Sequence, residues 1–184
     1  MRPLDEAVLR AINGLHAPWL DGVVRWLSEW AIYLYLAALV AMALRTRSRR
    51  DVALARDGSL VFFAALFLSE SVLKPIVGRP RPTADTLLAA QLHLLGPRPP
   101  ASSLSFPSGT ATTCCGAAAY IWFAWGPRVG IPAALLALII SLSRLYAGVH
   151  WPSDLIGGAL FGTALAWAVH RLSRWIDEGR SPSP

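Results

Sequence analysis

The chain has 184 residues, 54% of them hydrophobic and 15% charged, with a mean hydropathy of +0.45. That balance excludes an ordinary soluble domain and points to an integral membrane protein built as one compact helical unit. The formal net charge of +6 reflects 16 Arg and a single Lys, Lys74, spread over short loops with no nucleic-acid motif.

Leu4, Ala7, Val8, Ala11, Ile12 and Leu15 recur at helical spacing with Asp5, Glu6 and Arg10 opposite. This predicts a short amphipathic helix on the membrane surface, broken by His16-Ala17-Pro18. The first residues lack the basic start and apolar core of a removable signal peptide. Residues 19–44 predict one spanning helix, with Glu29 solvated or paired near its entrance. Arg45, Arg47, Arg49 and Arg50 follow at once and should face the cytoplasm. Residues 58–74 predict a second span. Glu70 lies one turn before Lys74, so an intrahelical pair is expected there rather than catalysis.

Residues 75–106 form a long proline-rich connection carrying Arg79, Arg81 and Arg98, too long for a simple turn and suited to a lid or binding loop. A short surface helix is expected within 87–95, with His93 an ordinary surface histidine. Residues 107–126, 129–147 and 152–172 predict three further spans. Cys114 and Cys115, adjacent in an apolar run, read as core packing rather than a disulfide or metal site. The expected architecture is all-α: a polytopic membrane helix bundle of about five transmembrane helices plus the N-terminal interfacial helix. Residues 1–174 would form a single membrane domain and 175–184 a polar tail, with Ser181–Pro184 disordered.

Threading these spans from a cytoplasmic arginine cluster puts Lys74, Arg81, Ser108, Arg144 and His150 at the same outer face. Three short stretches therefore meet: Lys74-x6-Arg81-Pro82, Phe106-Pro107-Ser108-Gly109-Thr110, and Ser143-Arg144-x5-His150-x3-Asp154. Their chemistry is coherent. Lys74, Arg81 and Arg144 supply charge for phosphoryl oxygens. Ser108 and Gly109 open a helix whose amides can donate to an anion. A neutral His150 can attack phosphorus, and Asp154 can hold it in the right tautomer. With cations built in, neither a metal nor another cofactor is required. The extra arginines of the outer loop are attributed to the anionic ligand.

As a set, these motifs resemble those of the type 2 phosphatidic acid phosphatase family, membrane lipid-phosphate phosphatases related to vanadium haloperoxidases. The resemblance covers roughly residues 57–172. It implies that Lys74, Arg81, Ser108, Gly109 and Arg144 bind phosphate, that His150 is the nucleophile and that Asp154 is its partner. The small size, the N-terminal helix and Glu29-Trp30-Ala31-Ile32 also resemble the bacterial undecaprenyl-diphosphate phosphatase branch. One position departs. Where the family has a His that protonates the leaving group, this chain has Thr110, whose hydroxyl cannot supply a proton near neutral pH. Losing a general acid costs on the order of 10²–10⁴ in rate. The loss matters less when the leaving group is itself a phosphate, which favours a lipid diphosphate such as undecaprenyl diphosphate over phosphatidylglycerophosphate or phosphatidic acid. The competing readings are a binding or transport protein that kept the cradle without turnover, and phosphoryl transfer to another acceptor. The expected partners are a phosphorylated lipid and the bilayer, in a bacterial inner membrane with the site facing outward.

Overall fold

The computed structural model describes residues 2–46 and 48–180. The order is α1 (Arg2–Asn13), α2 (Pro18–Glu29), α3 (Tyr33–Thr46), α4 (Arg49–Phe67), a π-helical turn (Leu68–Leu73) and α5 (Lys74–Val77). A 3₁₀ turn (Pro82–Ala84), α6 (Thr86–Ala89), α7 (Gly109–Trp125), α8 (Pro127–Tyr146) and α9 (Pro152–Arg180) complete it.

Local chemistry sets these boundaries. Ser48 caps α4 by accepting the Asp51 N–H at 3.0 Å, and Ser108 caps α7 by accepting the Ala111 N–H. Pro127 and Pro152 open their helices where a missing N–H costs nothing. Gly148 sits at φ 73° in the α8–α9 turn, and a Cβ there would also crowd Leu94 and Asn13.

Three helices among the described residues are long and apolar enough to cross a membrane: Arg49–Val77, Pro127–Tyr146 and Pro152–Gly179. The α2–α3 pair, bent by 58°, adds a fourth only if it counts as one span, so the described residues hold three or four such spans where five were expected. The one spanning helix expected over 19–44 is instead two helices, α2 and α3, meeting at a bend. At the break, the Ser28 carbonyl accepts from Arg144 Nη1 at 3.1 Å, so a long-range partner takes the acceptor that would have continued the helix. The helix expected over 58–74 starts earlier, at Arg49. The π turn, α5 and α4 run on as one rod, in which Lys74 donates to both carboxylate oxygens of Glu70 at 2.6 Å.

Helix α1 corrects the simple amphipathic reading. Leu4, Ala7 and Ala11 are exposed, as a lipid-facing stripe requires, but Asp5, Leu9 and Asn13 form a buried stripe against the protein. The short helix expected over 87–95 is α6, shifted to Thr86–Ala89. His93 is not a free surface side chain: its Nε2 pairs with Asp21 at 3.0 Å and its ring stacks on His16. Helix α9 runs to Arg180, past the end of the span expected over 152–172 and into the stretch read as a polar tail, with an Arg174–Glu178 pair on its exposed end. Ser181–Pro184 lie outside the described residues.

At the centre is α7, packed against α4, α8 and α9. Cys114, Ala117 and Ile121 of α7 meet Tyr35 and Leu39 of α3, Phe62 of α4, and Ala137 and Ile140 of α8. Small residues bring α7 and α9 together. A Cβ on Gly162 would overlap the Thr112 carbonyl oxygen, and one on Gly158 would meet the Thr112 N–H at 3.0 Å. Without a hydrophobic drive between helices in lipid, such close backbone approach is the main source of their association.

Candidate active site

His150 lies in the α8–α9 turn, 2% exposed, and Asp154 lies fully buried in the first turn of α9. The helix start fixes their relation, because Asp154 Oδ2 accepts the Trp151 N–H at 2.8 Å and faces His150 Nδ1 at 3.3 Å. On the other side of the ring, Arg81 Nη1 lies 3.1 Å from His150 Nε2 and donates to the Val149 carbonyl at 2.9 Å. An arginine only donates, so this network assigns the proton to Nδ1 and a lone pair to Nε2.

The electrostatics agree. Burial pushes the His150 imidazole well below its ordinary value of 6.5, and the charges of Arg81, Arg144 and Lys74 add to that shift. Lys74 and Arg81, some 70 residues away in the chain, thus act on the same ring as its neighbour Arg144. Arg81 is itself lowered, first by burial, with Glu70 and Asp154 opposing. The Nε atoms of Arg81 and Arg144 are buried and have no hydrogen-bond partner. Two buried guanidinium donors without protein partners are chemically suited to an anion.

The amides at the start of α7 need one correction. The Ser108 N–H is not free: it donates to the Asp154 carbonyl at 3.1 Å. That bond ties the start of α7 to the start of α9. The Gly109 and Thr110 amides, first in the helix, have no intrahelical acceptor. Thr110 is half-buried.

Asp5 and Ser105 were passed over in the sequence reading, Glu70 was read only as a partner of Lys74, and Arg79, attributed above with the other loop arginines to the anionic ligand, pairs instead with two carboxylates. Arg79 Nη1 donates to Asp154 Oδ1 at 2.7 Å and to Ser153 Oγ at 2.6 Å. Its Nη2 donates to Asp5 Oδ2 at 2.6 Å, and its guanidinium lies over Trp151. Asp5 also accepts the Ser153 N–H and hydroxyl. Burial works to raise Asp5, but the bonds from Ser153 and Arg79 win and hold it below the ordinary carboxylate range. Ser105 donates toward Asp154 Oδ1 at 3.4 Å. Glu70 rests against Gly109, where a Cβ would overlap its Oε1, and its charge reaches Arg81 and Arg144. No spacing rule reveals contacts between residues some 75 positions apart. The proximity of Glu70 to Lys74 was readable, but not its position on α7.

Apolar helices thus surround a buried histidine, with an aspartate on one side of the ring and an arginine on the other. The chain belongs to the PAP2 superfamily, whose family model matches residues 58–178. It is 30% identical to the lipid A 4'-phosphatase of Bacteroides thetaiotaomicron, over 91% of this chain and 76% of that protein. It is 28% identical to the undecaprenyl-diphosphatase BcrC of Bacillus subtilis, over 92% and 84%. Its fold is similar to the crystal structure of a PAP2-type phosphatidylglycerolphosphate phosphatase from Bacillus subtilis. There the TM-score is 0.67 at 24% identity, covering all of this chain and 89% of the other. With its apolar helices, this makes the chain a multi-pass membrane protein.

Proposed function

We propose that the protein hydrolyses a membrane lipid phosphate or diphosphate through a phosphohistidine at His150, with undecaprenyl diphosphate the first substrate. The observation that carries this reading is the His150 ring, with Nδ1 facing Asp154 and the Nε2 lone pair facing Arg81. A phosphoryl group entering the pocket takes over the donors of Arg81, Arg144 and Lys74 and the Gly109 and Thr110 amides. Arg81 turns from Nε2 to a phosphoryl oxygen and so uncovers the nucleophile. Nε2 attacks phosphorus in line, and Asp154 stabilises the cation that develops on the ring. Water then attacks the phosphohistidine and releases phosphate. The three cations supply the charge that other phosphatases draw from metal ions. The lipid tail lies among the helices, and the head group enters from the outer face of a bacterial inner membrane.

Relatives whose names cite lipid A and undecaprenyl diphosphate do not settle the lipid, so leaving-group chemistry decides the ranking. As long as no other group gives the leaving oxygen a proton, Thr110 favours a diphosphate, with phosphatidylglycerophosphate and phosphatidic acid next. Purified protein with C55-type diphosphate beside monophosphates tests this. The expected outcome is fastest phosphate release from the diphosphate, abolished by His150→Ala. Release that survives His150→Ala would refute the mechanism, and ligand binding without release would favour the binding-protein reading.

A further inference from the structure

Cleaving a phosphate ester at neutral pH requires a proton for the departing oxygen. Thr110, at the start of α7, cannot give one. Asp154 is fully buried and committed to His150, the Trp151 N–H and Arg79. Asp5 is committed to Arg79 and Ser153, and Glu29 pairs with Arg25. Glu70 differs from all of these. Its carboxylate sits against Gly109 and bridges Lys74, so it occupies the position where the phosphate reading puts an anion. Its side chain is 45% exposed, whereas His150 is 2% exposed. In-line attack from a buried nucleophile sends the leaving oxygen away from His150 and toward solvent, and Glu70 is the carboxylate of this cluster with substantial exposure. The π turn over Leu68–Leu73 carries Glu70, and such departures from α geometry inside a helix are frequent at functional sites.

From this placement we infer that Glu70 is the proton donor to the leaving group, a role that rests on the phosphatase reading above. A substrate phosphate displaces the carboxylate from Lys74 and Gly109. The substrate enters as its monoanion, and its proton passes to the displaced carboxylate beside the bound phosphate. His150 Nε2 then forms the bond to phosphorus, the phosphorus–oxygen bond breaks, and the leaving oxygen takes the Glu70 proton to depart as the alcohol or as a protonated phosphate. In the second half, Glu70 removes a proton from water as its oxygen attacks phosphorus and the phosphorus–nitrogen bond breaks. Inorganic phosphate, neutral His150 and protonated Glu70 result, and the phosphate leaves with that proton.

The test compares leaving groups. Wild type, Glu70→Gln and the Glu70→Gln/Thr110→His double variant are purified and assayed with a lipid monophosphate, whose alkoxide needs a proton, and with p-nitrophenyl phosphate, whose phenolate does not. Glu70→Gln is expected to lose about 10²–10⁴ in rate on the lipid monophosphate and less than about tenfold on the nitrophenyl ester. An imidazole at position 110 should restore at least about tenfold of the lost rate. Equal losses on both substrates, or a Glu70→Gln protein that gains rate, would overturn the assignment and leave Glu70 a structural partner or a competing anion. If Glu70→Gln does not fold, Glu70→Asp decides: it keeps an acid, so a wild-type leaving-group profile supports the role and a steep one overturns it. A wild-type protein that releases no phosphate from either substrate or from a C55-type diphosphate would overturn the phosphatase reading itself, and this role with it.

Discussion

Arg79 touches neither His150 nor any group placed against the phosphate, yet it is the cation whose loss should be felt most widely. Its guanidinium joins Asp5 on α1 to Asp154 on α9, and both carboxylates are nearly or fully buried. Arg79→Met keeps much of the side-chain volume and leaves two carboxylates facing each other without a cation. Removing one partner of a buried pair costs about 3–5 kcal/mol. Here Asp154 keeps the Trp151 N–H and Ser105, and Asp5 keeps the Ser153 N–H and hydroxyl. The lower end, about 3 kcal/mol, is therefore expected, a large share of a typical total of about 5–15 kcal/mol. Asp154 would also lose the contact that fixes its second oxygen, so phosphate release should fall by about 10² or more, as when the orienting member of a His–Asp pair is disturbed. Arg79→Lys should fall between, since an ammonium cannot fork to two carboxylates. Unfolding in detergent reads the stability, and phosphate release reads the rate. The decisive comparison is the double variant: adding Asp5→Asn to Arg79→Met removes one of the two unpaired charges and should recover about 1–2 kcal/mol through coupling. An Arg79→Met protein within about 0.5 kcal/mol of wild type, with normal turnover, would refute the reasoning.

The acid limb of kcat/KM should lie below pH 6.5, because burial and three cations hold His150 below its ordinary value and only the neutral ring attacks. Arg81→Gln removes the first-named of those charges and should move the limb upward, as a pH–rate profile would show. Stability carries the same sign: the unfolded chain takes the His150 proton first, so its contribution is full above pH 6.5 and declines as pH falls toward the lower folded value. Gly109→Ala should leave the fold intact, since the overlapping atom is the end of the Glu70 side chain, but it should cut turnover about tenfold or more by filling the anion position. Circular dichroism together with phosphate release separates the two effects. Gly162→Ala meets backbone rather than a movable tip, so it should destabilise the α7–α9 contact by about 1–3 kcal/mol, measured by thermal unfolding.

These perturbations divide along the line between what the sequence discloses and what it conceals. Arg144, His150 and Asp154 stood out because ionisable groups beside apolar spans are costly and therefore conspicuous, and Asp154, four positions after His150, lies in the first turn of α9 with Oδ2 facing the ring. Asp5 was concealed by the same logic: on an amphipathic helix a carboxylate opposite leucines reads as solvated, and only the fold reveals that Asp5, Leu9 and Asn13 form a second, buried stripe. Arg79 was lost among the other loop arginines because its partners lie some 75 residues away on either side. The break between α2 and α3 has no proline or glycine to announce it, and it depends on Arg144 reaching the Ser28 carbonyl. Glu70 shows most clearly how local pattern and tertiary position diverge. Its spacing from Lys74 describes an ordinary helical ion pair, and that pair exists at 2.6 Å. Because α7 begins at Gly109, where no side chain intervenes, the same pair also sets a carboxylate against the start of α7, where its charge reaches Arg81 and Arg144, without any change in the local motif.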